Sequence, residues 1–179
     1  MAYALPLAFI LFLIIPWPGF FCALRVAHSQ SGQVMLTFPF FFRHTFFLSY
    51  THSIYQAPVV EELEVQCSAI HLKEILTTSW GVVEYYNIPG TPRQEGGKIR
   101  IGEINFRVPE LTVMIGFTGK QRITWEDRTY FLDKLGSPGE ALNIEPTSLS
   151  PAGYLWEKVK RNGGRGTSVR RERLDNFKD

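Results

Sequence analysis

His52, Ser53, Glu61, Glu74, Ser79 and Gly81 are the residues whose types and spacing allow chemistry. An imidazole beside two carboxylates can share a proton or hold a cation through mixed nitrogen and oxygen ligands. A serine near the imidazole adds the outline of a nucleophile and its base. What matters is whether the local structure brings these groups together.

Side chains alternate across a β-strand. Over residues 46–54, Phe46, Leu48, Tyr50, His52 and Ile54 share one face. Over residues 59–67, Val59, Glu61, Leu63, Val65 and Cys67 share another. Each apolar face is interrupted once, by His52 and by Glu61. A four-residue loop over 55–58 sets Ile54 opposite Val59, and therefore His52 opposite Glu61 as a direct cross-strand pair. Each then supplies the hydrogen-bond partner that the other needs when buried. If Cys67 faces Ile70 across a second tight turn, Leu63 faces Glu74, and Glu74 sits diagonally from Glu61. Two close carboxylates raise one pKa or draw in a cation. The simplest role for a buried His–Glu pair is structural, fixing register. A ligand or partner site comes next, and a catalytic site last.

Catalysis is disfavoured by the same geometry. His52 and Ser53 are adjacent on one strand and point to opposite faces, and no Gly-x-Ser-x-Gly elbow occurs. Ser53 and Ser79 suit backbone hydrogen bonding at strand ends. His52, Glu61 and Glu74 are the one donor set suited to a cation, without His-x-His or HExxH spacing. Gly96-Gly97-Lys98 lacks phosphate-loop spacing and reads as a turn. No cofactor is expected.

The elements that must position these groups are short. Strand-like runs fall at 24–27, 34–38, 46–54, 59–67, 70–78, 98–107, 111–117, 122–125 and 129–132, separated by Gly, Pro and Ser clusters. That spacing predicts an all-β fold, an antiparallel sandwich or barrel-like domain over residues 25–149. A short C-terminal helix is expected over 150–161, capped by Ser150 with Pro151 in its first turn. There Leu155 and Val159 share a face, with Trp156 beside them. Residues 162–179 read as a disordered basic tail. The tail lacks interleaved aromatics, so no nucleic-acid partner is expected. Residues 158–179 carry eight Lys/Arg against Glu172, Asp175 and Asp179, so the rest of a chain of net charge +2 sums to −3.

Residues 1–24 carry no charged side chain. That length suits an N-terminal apolar helix, acting as a signal peptide or a membrane anchor. Pro16 and Pro18 interrupt it, and Arg25 is the first basic side chain. An anchor or uncleaved signal is the leading expectation, with cleavage after Ala27-His28-Ser29 as the second reading and a buried core segment as the third. Cys22 and Cys67 have no metal-ligand spacing. A disulfide between them is not expected from the sequence, since it needs an oxidising compartment and matching strand geometry. The run PFFFRHTFF is denser in aromatics than one buried face requires. Core packing is its default role, with a pocket wall, a membrane interface or a docking surface as alternatives.

Tyr50-Thr51-His52-Ser53, then Pro58-Val59 and Glu61, then Ile70-x-Leu72-x-Glu74, then Thr78-Ser79-Trp80-Gly81, together resemble the domain-of-unknown-function family number 1850. The resemblance runs over roughly residues 24–132. It departs where Val82-Val83 follow Gly81, a place where the family often has a second glycine. Similar proteins are small and bacterial, have an apolar N-terminus, and are encoded beside TAXI-class tripartite (TRAP-type) solute transporters. The resemblance therefore implies an accessory role in solute uptake at the cytoplasmic membrane, and the expectation is a non-enzymatic protein facing outside it, with a transporter permease or solute receptor as partner. A stand-alone ligand- or cation-binding β module is the alternative, and a cryptic hydrolase the third reading.

Overall fold

The computed structural model describes residues 15, 19–87, 90–163 and 169–170. In chain order the elements are β1 (Phe21–His28), β2 (Val34–Phe41), β3 (Arg43–Thr51), β4 (Pro58–Gln66), β5 (Ala69–Thr77), α1 (Trp80–Tyr86), β6 (Thr91–Glu95) and β7 (Lys98–Gly102). There follow β8 (Phe106–Val108), β9 (Leu111–Met114), β10 (Arg122–Trp125), β11 (Arg128–Phe131), a 3-10 turn (Leu132–Lys134), β12 (Ala141–Ser148), α2 (Pro151–Gly163) and β13 (Val169–Arg170).

The strands form two antiparallel sheets. One has the order β2-β1-β12-β9, and the other runs β13-β11-β10-β3-β4-β5-β7-β6, with β8 also pairing with β5. Leu24, Val26, Phe38, Leu142 and Ile144 of the first sheet share a core with Phe46, Leu63, Ile75 and Trp125 of the second. Phe38 stacks on Trp125 across that interface, with ring centres 5.0 Å apart. The all-β expectation holds, and the antiparallel pairing with it.

The differences lie at the ends and in the missed elements. β1 begins at Phe21, inside the stretch expected to be signal or anchor, and Cys22, Ala23 and Leu24 are fully buried. The remainder of that expectation, residues 1–14 and 16–18, lies outside the described residues. No described helix is long and apolar enough to cross a membrane. β6, β12 and α1 were not expected. The β6–β7 turn is Gly96-Gly97, both at positive φ (56° and 77°), the geometry of a two-residue hairpin rather than a phosphate cradle. α2 runs on to Gly163 and β13 pairs with β11, both inside the stretch expected to be disordered, of which 164–168 and 171–179 lie outside the described residues.

Two sequence-level details are met. Ser150 Oγ accepts the Gly153 N–H at 3.1 Å, capping α2. Leu155, Trp156 and Val159 are present on α2, and all three are exposed.

Cys22 and Cys67 are joined by a disulfide, with Cα atoms 5.3 Å apart. The expectation against it asked for matching strand geometry, and β1 supplies it. Because Cys22 is a core residue of β1, the facing sheet brings Cys67, just beyond β4, against it.

Candidate functional site

The β3–β4 connection departs from the register read in the sequence. Leu48, not His52, lies opposite Glu61, and Thr51 is opposite Pro58. The slip is four residues, an even number, so every side chain keeps its face. The cause is the loop. Pro58 enters β4 and His52 leaves β3, which makes the connection His52–Ala57 rather than 55–58. The His52 N–H donates to the Ala57 carbonyl and the Gln56 N–H to the His52 carbonyl, both at 2.8 Å. Gln56 adopts a left-handed φ of 48° to make the turn. Ile54, expected to pair inward with Val59, is exposed, as is Tyr55 of the loop.

Glu61 therefore meets other partners. It is 8% exposed. Tyr50, a diagonal neighbour across the β3–β4 ladder, donates its phenol hydrogen to Glu61 Oε1 at 2.7 Å. Tyr86 of α1 donates to the same oxygen, and the two phenol oxygens also contact each other. Burial pushes the Glu61 carboxyl up to about 7. It also pushes the Tyr86 phenol well above its usual range. At neutral pH the cluster is thus poised between a carboxylic acid and a carboxylate ringed by phenols.

His52 is 7% exposed and lies at the same end of the fold. Its Nδ1 accepts the Ile54 N–H at 3.3 Å, so the neutral ring carries its proton on Nε2. The ring sits between Tyr55 (5.3 Å) and Tyr85 (4.8 Å, edge to face). Among the described residues no hydrogen bond joins His52 to Glu61. They are linked through α1, which presents Tyr85 to the one and Tyr86 to the other.

Gly81 explains how α1 reaches this position. A Cβ there would fall 2.7 Å from Tyr55 Cδ1, inside contact distance. The glycine lets the loop tyrosine lie against the helix backbone. Val82, which follows Gly81, is fully buried in the core and pins the helix.

Three expected members sit elsewhere. Glu74 faces Glu62, because the β4–β5 register shifts between Glu62 and Leu63 and leaves Lys73 unpaired. That bulge turns Glu74 to the other face, where Arg100 Nη1 contacts both of its oxygens at 2.7 and 2.9 Å. The expected donor set His52, Glu61 and Glu74 is therefore not assembled. No metal-binding cluster occurs among the described residues. Ser53 is exposed in the loop and offers its carbonyl to the Gln56 side chain. Ser79 precedes α1, without a side-chain cap bond, and its carbonyl receives the Val82 and Val83 N–H groups. Among the described residues neither serine hydroxyl bonds His52.

Tyr50, Tyr55, Tyr85 and Tyr86 are the members that sequence reasoning missed. Ser79 followed by Val82, Val83 and Tyr86 has the spacing of one short helical face, which was the available signal.

Residues 46–132 match the family model described as Domain of unknown function (DUF1850). The match starts in β3 and takes in the whole site: Tyr50, His52, Glu61, Gly81 and Tyr86. No curated protein and no solved structure matches the chain.

Proposed function

We propose that the protein is a non-enzymatic accessory module that works outside the cytoplasmic membrane and recognises a component of a TAXI-class TRAP transporter, a permease or a solute receptor. The observation that carries this reading is an exposed apolar edge set on a buried polar network. Ile54, Tyr55, Trp80 and Tyr85 are all exposed at the end where His52 and Glu61 are buried and Tyr50 and Tyr86 half-buried. Exposed aromatics on a rigid base are the usual form of a protein-docking surface. The network beneath orders the loop and the helix that carry them. The family resemblance supplies the transporter as the partner class. The Cys22–Cys67 disulfide supports the compartment, since such bonds persist where the environment is oxidising. The non-enzymatic reading is supported by serines that do not bond His52 and by a carboxyl oxygen already held by two phenols.

The test is affinity purification of the tagged full-length protein from native membranes, as wild type and as Trp80→Ser/Tyr85→Ser. Circular dichroism confirms that the variant is folded. A permease or solute receptor that comes down with wild type and is lost with the variant supports the reading. Equal recovery moves the docking surface elsewhere. No transporter component with wild type ends the accessory reading. A stand-alone ligand-binding module would then be the remaining candidate, tested by saturable thermal stabilisation with candidate solutes or cations.

A further inference from the structure

At the opposite end of β3 from His52 lies a second exposed aromatic group. Phe42 joins β2 to β3 as a single residue between the two sheets. Its ring is 4.8 Å from Phe20 and 4.3 Å from Phe41. Phe41 is 5.3 Å from Phe21, which is 5.3 Å from Tyr154 of α2. The rings thus form one continuous rim from the start of β1 to α2. Phe20, Phe41 and Phe42 are exposed, as are Trp156, Leu155 and Val159 on the helix.

We infer that this rim docks on a lipid bilayer, with the aromatic rings at headgroup level. Three further observations choose lipid over another occupant. The rim begins where the uncharged stretch of the first 18 residues meets the fold, at Gly19-Phe20. Any membrane that takes up that stretch lies next to these rings. The exposed charges among them are basic: Arg43 follows Phe42, and Lys158 and Lys160 lie on α2, with only the half-buried Glu157 of opposite sign. Lys158 Nζ is 5.6 Å from the centre of the Tyr154 ring. Basic side chains beside aromatic rings suit anionic headgroups. Finally, Phe42 has φ +60°, a conformation that a bulky residue rarely adopts and that glycine would take freely. An exposed phenylalanine kept in a glycine position is explained by a use for its ring.

The rim also orients the site. β3 has nine residues, about 30 Å of extended chain, between Phe42 and His52. A domain seated on its rim holds Tyr55, Trp80 and Tyr85 away from the bilayer, within reach of a soluble receptor rather than of a membrane-embedded surface. This docking rests on the membrane half of the proposed function and is independent of the transporter.

The test uses full-length protein in vesicles of phosphatidylcholine and phosphatidylglycerol, with and without brominated acyl chains, and reads tryptophan quenching. Trp17→Phe/Trp80→Phe leaves Trp156 as the exposed reporter, and Trp17→Phe/Trp156→Phe leaves Trp80. Trp125, 1% exposed, is common to both. Bromolipid is expected to reduce emission in the first variant and to leave the second unchanged. Adding Phe41→Ser/Phe42→Gly, which keeps a residue suited to the turn, is expected to abolish the quenching at Trp156. The docking is overturned if Trp156 is not quenched, if Trp80 is quenched equally, or if the rim substitutions leave Trp156 quenching unchanged. No transporter is present in these vesicles, so failure here is distinct from failure of the purification.

Discussion

Tyr50 Oη lies 2.7 Å from Glu61 Oε1, so the buried carboxyl of β4 is held by a phenol two rungs along the paired strand rather than by His52. Tyr86 completes the arrangement from α1. Tyr50→Phe and Tyr86→Phe should each destabilise by about 1–2 kcal/mol. Each should show a coupling of roughly 1 kcal/mol or more with Glu61→Ala in a double-mutant cycle read by urea unfolding. His52→Ala and Glu61→Ala, separated by about 13 Å of strand, should instead be additive within about 0.5 kcal/mol. Strong coupling of His52 to Glu61 would restore the register read from the sequence.

The Glu61 carboxyl gives the protein a pH dependence of definite sign. Its pKa in the fold is about 7 against an ordinary 4.5, raised by burial. The folded state therefore holds the proton more tightly than the unfolded chain. The stabilising contribution is complete below pH 4.5 and is lost as the pH rises through 7, a change of about 3 kcal/mol. Urea unfolding between pH 5 and 8 should show wild-type stability falling over that window. Glu61→Gln should remove most of the fall, leaving the variant the more stable protein at pH 8.

The faces of the strands were legible in the sequence because an even slip preserves them: Leu48, Tyr50, Glu61 and Leu63 all point where alternation says. The register was not, because Pro58 reads as a turn residue yet begins β4, and because the left-handed Gln56 that closes the loop carries no sequence mark. Glu74 was misplaced by one unpaired residue, Lys73, since a bulge leaves the local pattern of apolar residues intact. Ser150 announced α2 through its cap and the proline that follows. α1 is seven residues long and has a glycine at its second position, too short for periodicity to stand out. The disulfide was hidden by the uncharged run that precedes β1, which drew Cys22 into the wrong segment.

Gly81→Ala places a methyl group against the Tyr55 ring. A loss of about 1–3 kcal/mol is expected from that overlap. Tyr55→Ala should lose little on its own and should relieve much of the Gly81→Ala defect when combined with it. Thermal unfolding of the four proteins measures this. Equal losses with and without Tyr55 would mean that the glycine acts through the helix alone.

Cys22 and Cys67 close a loop with a sequence separation of 45. Loop-closure entropy puts the stabilisation at about 4 kcal/mol. Cys67→Ser should lower the unfolding midpoint accordingly, and reduction of wild type should bring it to the same value. An unchanged midpoint would show that the facing sheets hold this end without the bond.

The measurement that bears most directly on the account is photo-crosslinking in the native host, with p-benzoylphenylalanine in place of Tyr85 and, as control, in place of the exposed Phe106 of β8. The account predicts an adduct between position 85 and a TRAP transporter component, with none from position 106. Absence of a transporter adduct at 85, or the same adduct from both positions, would contradict the claim that the His52–Glu61 end of the fold is where this protein meets its partner.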